Sequence, residues 1–245
     1  MTDVALRFDR VGKAYAGMSA LDEFSLEVRR GEFIALVGVN GAGKTTLLKC
    51  LLDFCDVDRG AIEIFGIAHR QTAARAGMAY LPERFNPPFF LTGRDFLQYM
   101  LGLYRASYDE GRATRMFAAL DLDPAALSRS ARTYSKGMTQ KLGIAACLLS
   151  GKALYVLDEP AGGLDPKARA MFKNELRSLR NNGRTVFFTS HSLADVAELC
   201  DRMVVLHGGR LRFAGPPAGL SQRYGDADLE GAFLSCIGAE QGTTA

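Results

Sequence analysis

Short apolar runs separated by turn residues dominate the pattern of this chain. Residues 4–11 alternate apolar and polar positions, which indicates a strand with one buried face. Residues 33–37, inside the strand-like stretch 23–38, are continuously apolar, which indicates a strand buried on both faces. Further apolar runs closed by turn residues are predicted as strands at residues 60–66, 77–82, 153–160, 184–191 and 202–209.

Helical patterns lie between these strands. Helices are predicted at residues 44–54, 166–181 and 192–200, and their alternation with strands in the second half of the chain favours βαβ units in a mostly parallel sheet. Residues 83–149 differ, because a proline-interrupted loop is followed by three or four helical stretches without a clear strand. The pattern therefore predicts an α/β fold that carries a helical insert.

Composition narrows the classes of function. The chain has 245 residues, 48% of them hydrophobic, and its net charge of +3 is too small to indicate nucleic-acid binding. Its five cysteines form no Cys-x-x-Cys pair, and four of them lie among apolar residues as buried small hydrophobic residues do, which favours a reducing cytosol. The N-terminal stretch lacks a signal-peptide pattern, and the apolar runs are shorter than the roughly 18 residues of a membrane span. Membrane association is therefore expected only through another protein.

A glycine-rich loop is the most specific chemical signal. Residues 38–45 read GVNGAGKT, match the pattern G-x-x-x-x-G-K-[ST] and lie between a predicted buried strand and a predicted helix. In such a loop the backbone N–H groups surround phosphate, the lysine reaches the β- and γ-phosphates, and the threonine hydroxyl is a Mg²⁺ ligand. The predicted nucleotide-binding residues are Gly38, Asn40, Gly41, Gly43, Lys44, Thr45 and Thr46. A plain glycine turn with a surface lysine is the alternative.

Two acids follow an apolar strand. Asp158 and Glu159 stand at the carboxyl end of the run 154–157, where open α/β sheets bind their ligands. Asp158 is predicted to take part in Mg²⁺ binding, and Glu159 is predicted to orient or deprotonate an attacking water. A strand-to-loop junction that is acidic for structural reasons alone is the alternative.

Three further candidates each have a structural alternative. His191 ends a predicted strand and is a candidate for contacting the γ-phosphate, although a lone histidine there is more often structural. Asp165 fits equally well as the N-cap of a helix that begins with proline. Tyr15 is either an ordinary strand-end aromatic or a residue that stacks on a purine ring.

A second helix start suited to an anion lies far along the chain from the glycine-rich loop. The stretch TYSKGMTQK places Ser135 at an N-cap or phosphate-ligand position and Gly137 where the backbone can approach a ligand closely. The positive end of the helix dipole favours an anion there. Its distance from the loop raises the question of which molecule this site serves.

These motifs, in this order, resemble the nucleotide-binding subunits of ABC transporters over residues 4–217. The resemblance implies a P-loop NTPase cassette with a mostly parallel core sheet, an antiparallel β part at the N-terminus and a helical signature subdomain at about residues 84–149. Residues 218–245 would form a short C-terminal helical tail. ATP and Mg²⁺ are the implied cofactors.

The family pattern also assigns roles to single residues. Outside the Walker A loop at 38–45 these are Tyr15 (adenine stacking), Glu83 (Q-loop position, metal), Ser135, Lys136 and Gly137 (signature motif), Asp158 (Walker B, metal), Glu159 (catalytic glutamate), Asp165 (D-loop) and His191 (catalytic switch histidine); within it, Thr45 is also a metal ligand. In this family two subunits face each other head to tail, and each signature helix start caps the γ-phosphate held by the other subunit. The resemblance thus gives the second anion site a purpose.

Two departures from the family pattern matter. Glu83 replaces the usual glutamine, which adds a negative charge near the metal and removes an amide donor. Lys136 and Met138 replace the first glycine and the glutamine of the signature motif, and Lys136 adds a cation beside phosphate. This combination resembles cassettes that pair with ABC-2-type exporter membrane subunits.

The expected function is therefore the ATP-binding and ATP-hydrolysing subunit of an ABC exporter, a peripheral protein held at the cytoplasmic face of the cell membrane by a separate permease. A second nucleotide-binding subunit is expected, either another copy of this chain, which is favoured, or a homologous chain, and no nucleic acid is expected as a partner. A non-transport ABC ATPase that regulates a cell-envelope complex or supports metalloprotein maturation is the alternative. The aromatic residues of the stretch 85–91 are expected either to dock the permease or to pack inward.

Overall fold

The structure, a computed structural model, describes residues 3–225 and 228–238. These residues belong to two units. The first unit contains the described residues up to Ala76 and from Thr185 onward, and the second unit contains Gly77–Arg184. The two units are described separately below.

The described residues form strands and helices in alternation along most of the chain. The strands are β1 (Val4–Tyr15), β2 (Met18–Arg29), β3 (Phe33–Val37), β4 (Arg59–Ile64), β5 (Ile67–Ala68), β6 (Met78–Leu81), β7 (Leu154–Leu157), β8 (Thr185–Thr189), β9 (Arg202–His207) and β10 (Arg210–Gly215). The α-helices are α1 (Lys44–Leu51), α2 (Gly93–Leu103), α3 (Glu110–Ala119), α4 (Lys136–Leu149), α5 (Pro166–Asn181), α6 (Leu193–Leu199), α7 (Pro217–Tyr224) and α8 (Leu229–Gly238). Short 3₁₀ helices occupy Thr72–Gly77, Pro124–Ser128 and Ala131–Thr133.

The first unit contains an antiparallel sheet and a set of parallel strands. The antiparallel sheet has the order β2-β1-β4-β5. Strands β9, β3 and β8 run parallel to one another with β3 in the middle, and β10 pairs with β9 as an antiparallel hairpin. All five residues of β3 and all five of β8 are buried, which explains why both strands are apolar without interruption.

The second unit consists of a parallel strand pair and helices. Strands β6 and β7 pair in parallel with Leu81 opposite Leu157. Residues 83–149, all of which the structure describes, form helices and turns, and they contribute one isolated β-bridge between Thr92 and Ser130. The predicted α/β class, with an antiparallel N-terminal part, mostly parallel strands and a helical insert, is confirmed.

Most predicted elements are present, and two strands were missed. Helix α5 has the predicted bounds 166–181, whereas α1 ends at Leu51, three residues before the predicted end. The chain turns there because Asp53 adopts a left-handed conformation with φ of 62°. The missed strands are β5 and β10.

The described residues after 216 form two helices. Helix α7 begins one residue before the segment predicted as a helical tail, 218–245, and α8 lies within that segment, of which residues 226–227 and 239–245 are outside the described residues. Among the helices of the described residues, none has the length and apolar character needed to cross a bilayer.

Aromatic packing ties the antiparallel sheet of the first unit to its parallel strands. Phe8 on β1 is 2% exposed, and its ring centroid lies 5.5 Å from that of Phe24 on β2, in an edge-to-face arrangement. The same ring lies 6.1 Å from the ring of Phe187 on β8. Edge contacts of this kind stabilise a core beyond the burial of apolar area alone. Phe8 therefore joins both layers of the first unit.

Replacing Phe8 with alanine should lower the free energy of unfolding by roughly 3–5 kcal/mol, because the lost ring leaves a cavity between the two layers. The matched control is Phe89→Ala, since Phe89 is 67% exposed, and a change of less than about 0.5 kcal/mol is expected there. Urea unfolding followed by circular dichroism measures both values. Equal midpoints for the two variants would contradict the placement of Phe8 in the core.

Candidate active site

The glycine-rich loop leaves β3 and enters α1 through backbone conformations that favour glycine. Gly41 and Gly43 have φ angles of 79° and 109°, in the region that other residues seldom adopt. A Cβ atom on Gly43 would lie 2.5 Å from the carbonyl oxygen of Ala20, and one on Gly38 would collide with the carbonyl oxygen of Leu206. Both the strain and the close backbone approach therefore exclude side chains from Gly43.

The start of α1 suits a phosphate group. Gly43 occupies the N-cap position, and a glycine has no side chain that could accept hydrogen bonds from the N–H groups of the first turn. Lys44 donates from Nζ to the carbonyl oxygens of Gly38 at 2.5 Å and Val39 at 3.3 Å, so its ammonium group lies against the loop. Backbone donors, the positive end of a helix dipole and an ammonium group thus occur together.

The remaining loop candidates differ in exposure. Asn40 and Thr45 are exposed, and Thr46 is partly buried in the first turn of α1. The hydroxyl of Thr45 is a hard oxygen ligand of the kind that Mg²⁺ accepts together with phosphate oxygens and a carboxylate. The donor set of the loop fits a nucleoside triphosphate with its metal ion.

His191 leaves the same edge of the parallel strands as the glycine-rich loop. Strand β8 pairs with β3 so that Thr189 is opposite Leu36, and the N–H of Ser190 donates to the carbonyl oxygen of Leu36 at 3.4 Å. His191 is exposed just beyond this pair, and Ser192 is the N-cap of α6. Because the carboxyl ends of parallel strands meet at one edge, the first unit brings its histidine candidate and its phosphate loop to the same edge.

Tyr15 is the last residue of β1, and its side chain is exposed. The hydroxyl group donates a hydrogen bond to Sγ of Cys55 at 3.5 Å. The ring is thus anchored at its hydroxyl end and 44% exposed, and Nζ of Lys13 lies 5.4 Å from its centroid.

In the second unit the acidic candidates gather at the carboxyl edge of β6 and β7. The N–H of Asp158 donates to the carbonyl oxygen of Leu81 at 2.8 Å, which continues the parallel pairing by one residue. Asp158 is buried, and Glu83 is exposed on the loop after β6. Burial, with smaller contributions from nearby charges that include Asp158 and Glu83, raises the pKa of Tyr80 to about 12, so this phenol stays neutral beside the acids.

Glu159 has an unusual backbone. Its φ angle is 46°, a left-handed conformation that few residues other than glycine adopt. Such conformations cost free energy and are often found at functional sites. A strained backbone position thus coincides with the candidate catalytic carboxylate.

The helix start at Ser135 has the predicted cap. Ser135 is the N-cap of α4, and its Oγ accepts a hydrogen bond from the N–H of Met138 at 3.2 Å. Lys136 is exposed in the first turn, and its Cε lies 3.6 Å from the position of a Cβ on Gly163. A Cβ on Gly137 would lie 3.5 Å from the carbonyl oxygen of Gly163, which is ordinary contact. The helix start therefore lies against the loop that precedes α5.

Asp165 has the local role that its sequence context predicted. It is the N-cap of α5, its carboxylate accepts a hydrogen bond from the N–H of Ala168 at 2.9 Å, and Pro166 is the first helical residue. A capping carboxylate of this kind keeps its other oxygen for a further contact. Asp165 therefore has the structural role of a helix cap. This role is compatible with nucleotide binding, because the cap uses only one carboxylate oxygen.

Two residues of α4 that the sequence analysis did not single out connect these pieces. Gln140 is buried and donates from Nε2 to the carbonyl oxygen of Pro160 at 3.2 Å, directly after Glu159. Lys141, also buried, donates from Nζ to the carbonyl oxygen of Asp121 at 3.0 Å and lies 4.0 Å from the carboxylate of Asp165. The sequence signal for these two residues was their position, since Gln140 and Lys141 directly precede the apolar run that begins at Leu142.

The candidates thus form two groups. The first unit holds Tyr15, Gly38, Asn40, Gly41, Gly43, Lys44, Thr45, Thr46 and His191. The second unit holds Glu83, Ser135, Lys136, Gly137, Asp158, Glu159 and Asp165. The first group offers phosphate-binding donors, and the second offers metal-binding and proton-accepting carboxylates beside a second helix start.

Comparison with known proteins gives consistent matches. A family model described as ABC transporter matches residues 21–162. An ABC transporter ATP-binding protein of Synechocystis sp. is 38% identical over 239 residues, which cover 91% of this chain and 67% of the relative. The Nod factor export ATP-binding protein I of Paraburkholderia xenovorans is 34% identical over 224 residues, which cover 90% of this chain and 73% of the relative. A solved structure of an ATP-binding subunit of an ABC transporter superimposes with a TM-score of 0.88 at 30% identity, covering 95% of this chain and 99% of that one.

The contact between Gln140 and Pro160 predicts a measurable effect on hydrolysis. Gln140→Leu removes the donor while keeping a side chain of similar size, so the peptide next to Glu159 loses an anchor. Loss of one hydrogen bond of about 1–1.5 kcal/mol should slow ATP hydrolysis by roughly tenfold and leave ATP affinity unchanged. Phosphate release and equilibrium ATP binding measure the two quantities.

Thr139→Val on the same helix is the matched control, and its rate should equal that of the unaltered protein. A Gln140→Leu variant that hydrolyses ATP at the full rate would show that the contact does not position Glu159.

Proposed function

The chain belongs to the ABC transporter family of ATP-binding proteins, and on that premise we propose that it is the ATP-hydrolysing subunit of an exporter, working as an ATP-sandwich dimer that drives a separate membrane permease. It is an ABC-type ATPase whose relatives include a Nod factor export protein. That relative supports the exporter assignment within the family.

The observation that carries the proposal is that one chain has two helix starts suited to an anion. One is α1, which follows the glycine-rich loop of the first unit, and the other is α4, which Ser135 caps in the second unit. A single γ-phosphate is best enclosed when both kinds of helix start approach it from opposite sides, since each adds backbone donors and a positive dipole end. In a head-to-tail pair of subunits, two such sites would form.

The proposed roles follow from the chemistry of the side chains. Lys44 and the loop N–H groups bind the β- and γ-phosphates, and Tyr15 stacks on the adenine ring. Thr45 and Asp158 hold Mg²⁺, with Glu83 as a further acidic contact. The metal ion, when bound, would neutralise charge on the phosphate oxygens.

The remaining roles concern the reacting phosphate and the partner's half of the site. Glu159 accepts a proton from the attacking water, and His191 contacts the γ-phosphate. Ser135, Lys136 and Gly137 bind the γ-phosphate of the opposite subunit, and Asp165 lies at the junction of the two subunits. We take the opposite subunit to be a second copy of this chain.

The permease contact is proposed for the loop before α2. Phe89 and Phe90 are 67% and 72% exposed, and their rings lie 5.8 Å apart in an edge-to-face pair. Phe85 behaves differently, because its ring packs edge-to-face on Phe96 at 5.3 Å and lies beside Gly143. The inward alternative therefore describes Phe85, whereas Phe89 and Phe90 support a docking surface on a protein held at the cytoplasmic face of the membrane.

The catalytic assignment predicts that one substitution lowers the rate of ATP hydrolysis and another lowers ATP affinity. Glu159→Gln should slow hydrolysis by about 100-fold or more, because the proton acceptor is lost, while ATP binding persists and dimers accumulate. Lys44→Ala is the control for binding, since loss of a charge-assisted phosphate contact of roughly 1.5–3 kcal/mol should weaken ATP affinity by ten- to hundredfold. Sedimentation velocity with Mg-ATP measures dimer formation. A Glu159→Gln protein that remains monomeric with bound ATP would contradict the sandwich.

The docking assignment is tested with the double substitution of Phe89 and Phe90 by serine. The variant should lose its co-purifying integral membrane protein and keep its ATP affinity, because Phe89 and Phe90 are not among the nucleotide-binding residues. Phe54→Ser is the matched control, since Phe54 is an equally exposed phenylalanine, at 67%, in the first unit. Undiminished recovery of the membrane protein with the double variant would rule out this surface.

A further inference from the structure

Two thiols lie side by side at the end of α1. Cys50 is buried in the last turn of this helix, Cys55 is partly buried just beyond it, and their sulfur atoms are 3.6 Å apart. The backbone accounts for the contact, because the left-handed conformation of Asp53 reverses the chain and the N–H of Phe54 donates back to the carbonyl oxygen of Lys49 at 2.8 Å. The reversal places Cys55 beside the last turn of α1.

The thiol pair also touches the nucleotide-binding candidates. The hydroxyl of Tyr15 donates to Sγ of Cys55, as described above, and α1 begins at the phosphate loop and ends at the thiol pair. The end of β1 is anchored to the same segment. Asp58 accepts hydrogen bonds from Nζ of Lys13 at 2.8 Å and from the N–H of Ala14 at 2.7 Å. Displacement of Cys55 would therefore change the contact that holds the hydroxyl end of the Tyr15 ring.

We propose that Cys50 and Cys55 are a modification site at which a peroxide forms an intramolecular disulfide that lowers nucleotide affinity. The effect on affinity rests on the proposed function, because it requires Tyr15 to stack on adenine. The disulfide itself does not depend on that role.

The chemistry balances with one peroxide molecule. The more accessible thiol, Cys55, attacks as a thiolate, the O–O bond of hydrogen peroxide breaks, and Cys55 becomes a sulfenic acid while its former proton leaves with the second oxygen as water. Sγ of Cys50 then attacks Sγ of Cys55, the S–O bond breaks, and the proton of Cys50 leaves with that oxygen as a second water. Two thiols lose two electrons in total, and the peroxide is reduced to two water molecules.

Geometry indicates what the bond would change. A disulfide bond is about 2.05 Å long, so the two sulfur atoms must approach each other by roughly 1.5 Å. Because Cys50 is fixed within α1, most of the movement falls on Cys55, which shifts the sulfur atom that the Tyr15 hydroxyl contacts. Burial raises the pKa of the Cys50 thiol to about 12, so the second step is slow at neutral pH and becomes faster as pH rises.

The test treats the full chain with hydrogen peroxide and follows two readouts. Trypsin cleaves after Lys49 and Arg59 and releases residues 50–59 as one peptide with both thiols, whose mass should fall by two hydrogen atoms. Equilibrium binding of Mg-ATP should weaken at least fivefold, and dithiothreitol should restore both the mass and the affinity.

Two variants sharpen the result. Cys55→Ser cannot form the disulfide and keeps an oxygen that can accept from Tyr15, so its ATP affinity should equal that of the reduced protein and resist peroxide. Cys200→Ser is the control and should respond to peroxide like the unaltered chain.

The outcomes separate the inference from the proposed function. A peptide 50–59 that stays reduced under peroxide overturns the modification site. A disulfide that forms without a change in affinity overturns its coupling to the nucleotide. If the reduced protein binds no ATP, the proposed function fails, whereas the mass of peptide 50–59 still tests the disulfide.

Discussion

Parallel pairing of short, fully buried strands determines where the candidate residues lie. Every side chain of β3, β7 and β8 is buried, so a charged residue within these strands would have to leave water without a partner. The first groups able to meet a ligand are those just beyond the strand ends, such as Gly38 after β3 and Asp158 after β7. The N–H groups of Ser190 and Asp158 donate to the carbonyl oxygens of Leu36 and Leu81, and each bond extends a strand pair by one residue. These bonds fix the point at which the following loop leaves the edge of the strands.

Helix starts supply the second half of the arrangement. The loop after β3 ends in α1 with a glycine at the N-cap, whereas α4 and α5 have side-chain caps from Ser135 and Asp165. A glycine cap leaves the first-turn donors to a ligand, while a serine cap uses one of them and still presents the positive end of the helix. The glycine cap of α1 suits a loop that surrounds the phosphate. The serine cap of α4 suits a helix start that approaches the same phosphate from a second subunit.

The sequence predicted most of the fold because its strongest signals are local. Continuous apolar runs gave the buried strands, and Asp165 with Pro166 gave the start of α5. Strand β10 was missed because it is an edge strand whose arginines read as polar loop. The two-residue turn Gly208 and Gly209, both with positive φ, was the available sign of that hairpin. The early end of α1 had no such sign, since the conformation of Asp53 depends on its surroundings.

The candidate site was predicted as a list of residues, and its internal contacts were not. Single motifs identify Lys44 or Glu159 by residue type and spacing, but the bond from Gln140 to Pro160 joins two segments whose approach only packing decides. The same holds for the thiol pair, which a chain reversal creates. The aromatic loop shows the limit clearly, because pattern alone could not separate the inward Phe85 from the outward Phe89.

The central claim is that two copies of the chain each supply half of every site, and mixing two inactive variants tests it most directly. Lys44→Ala removes the phosphate ligand of the first unit. Gly137→Asp places a negative charge at the start of α4, where a Cβ fits without collision and an acid favours the helix. Each variant alone should hydrolyse almost no ATP, whereas the mixture should regain hydrolysis, because a mixed dimer contains one site with an intact loop and an intact helix start. A mixture as inactive as its components would contradict the account.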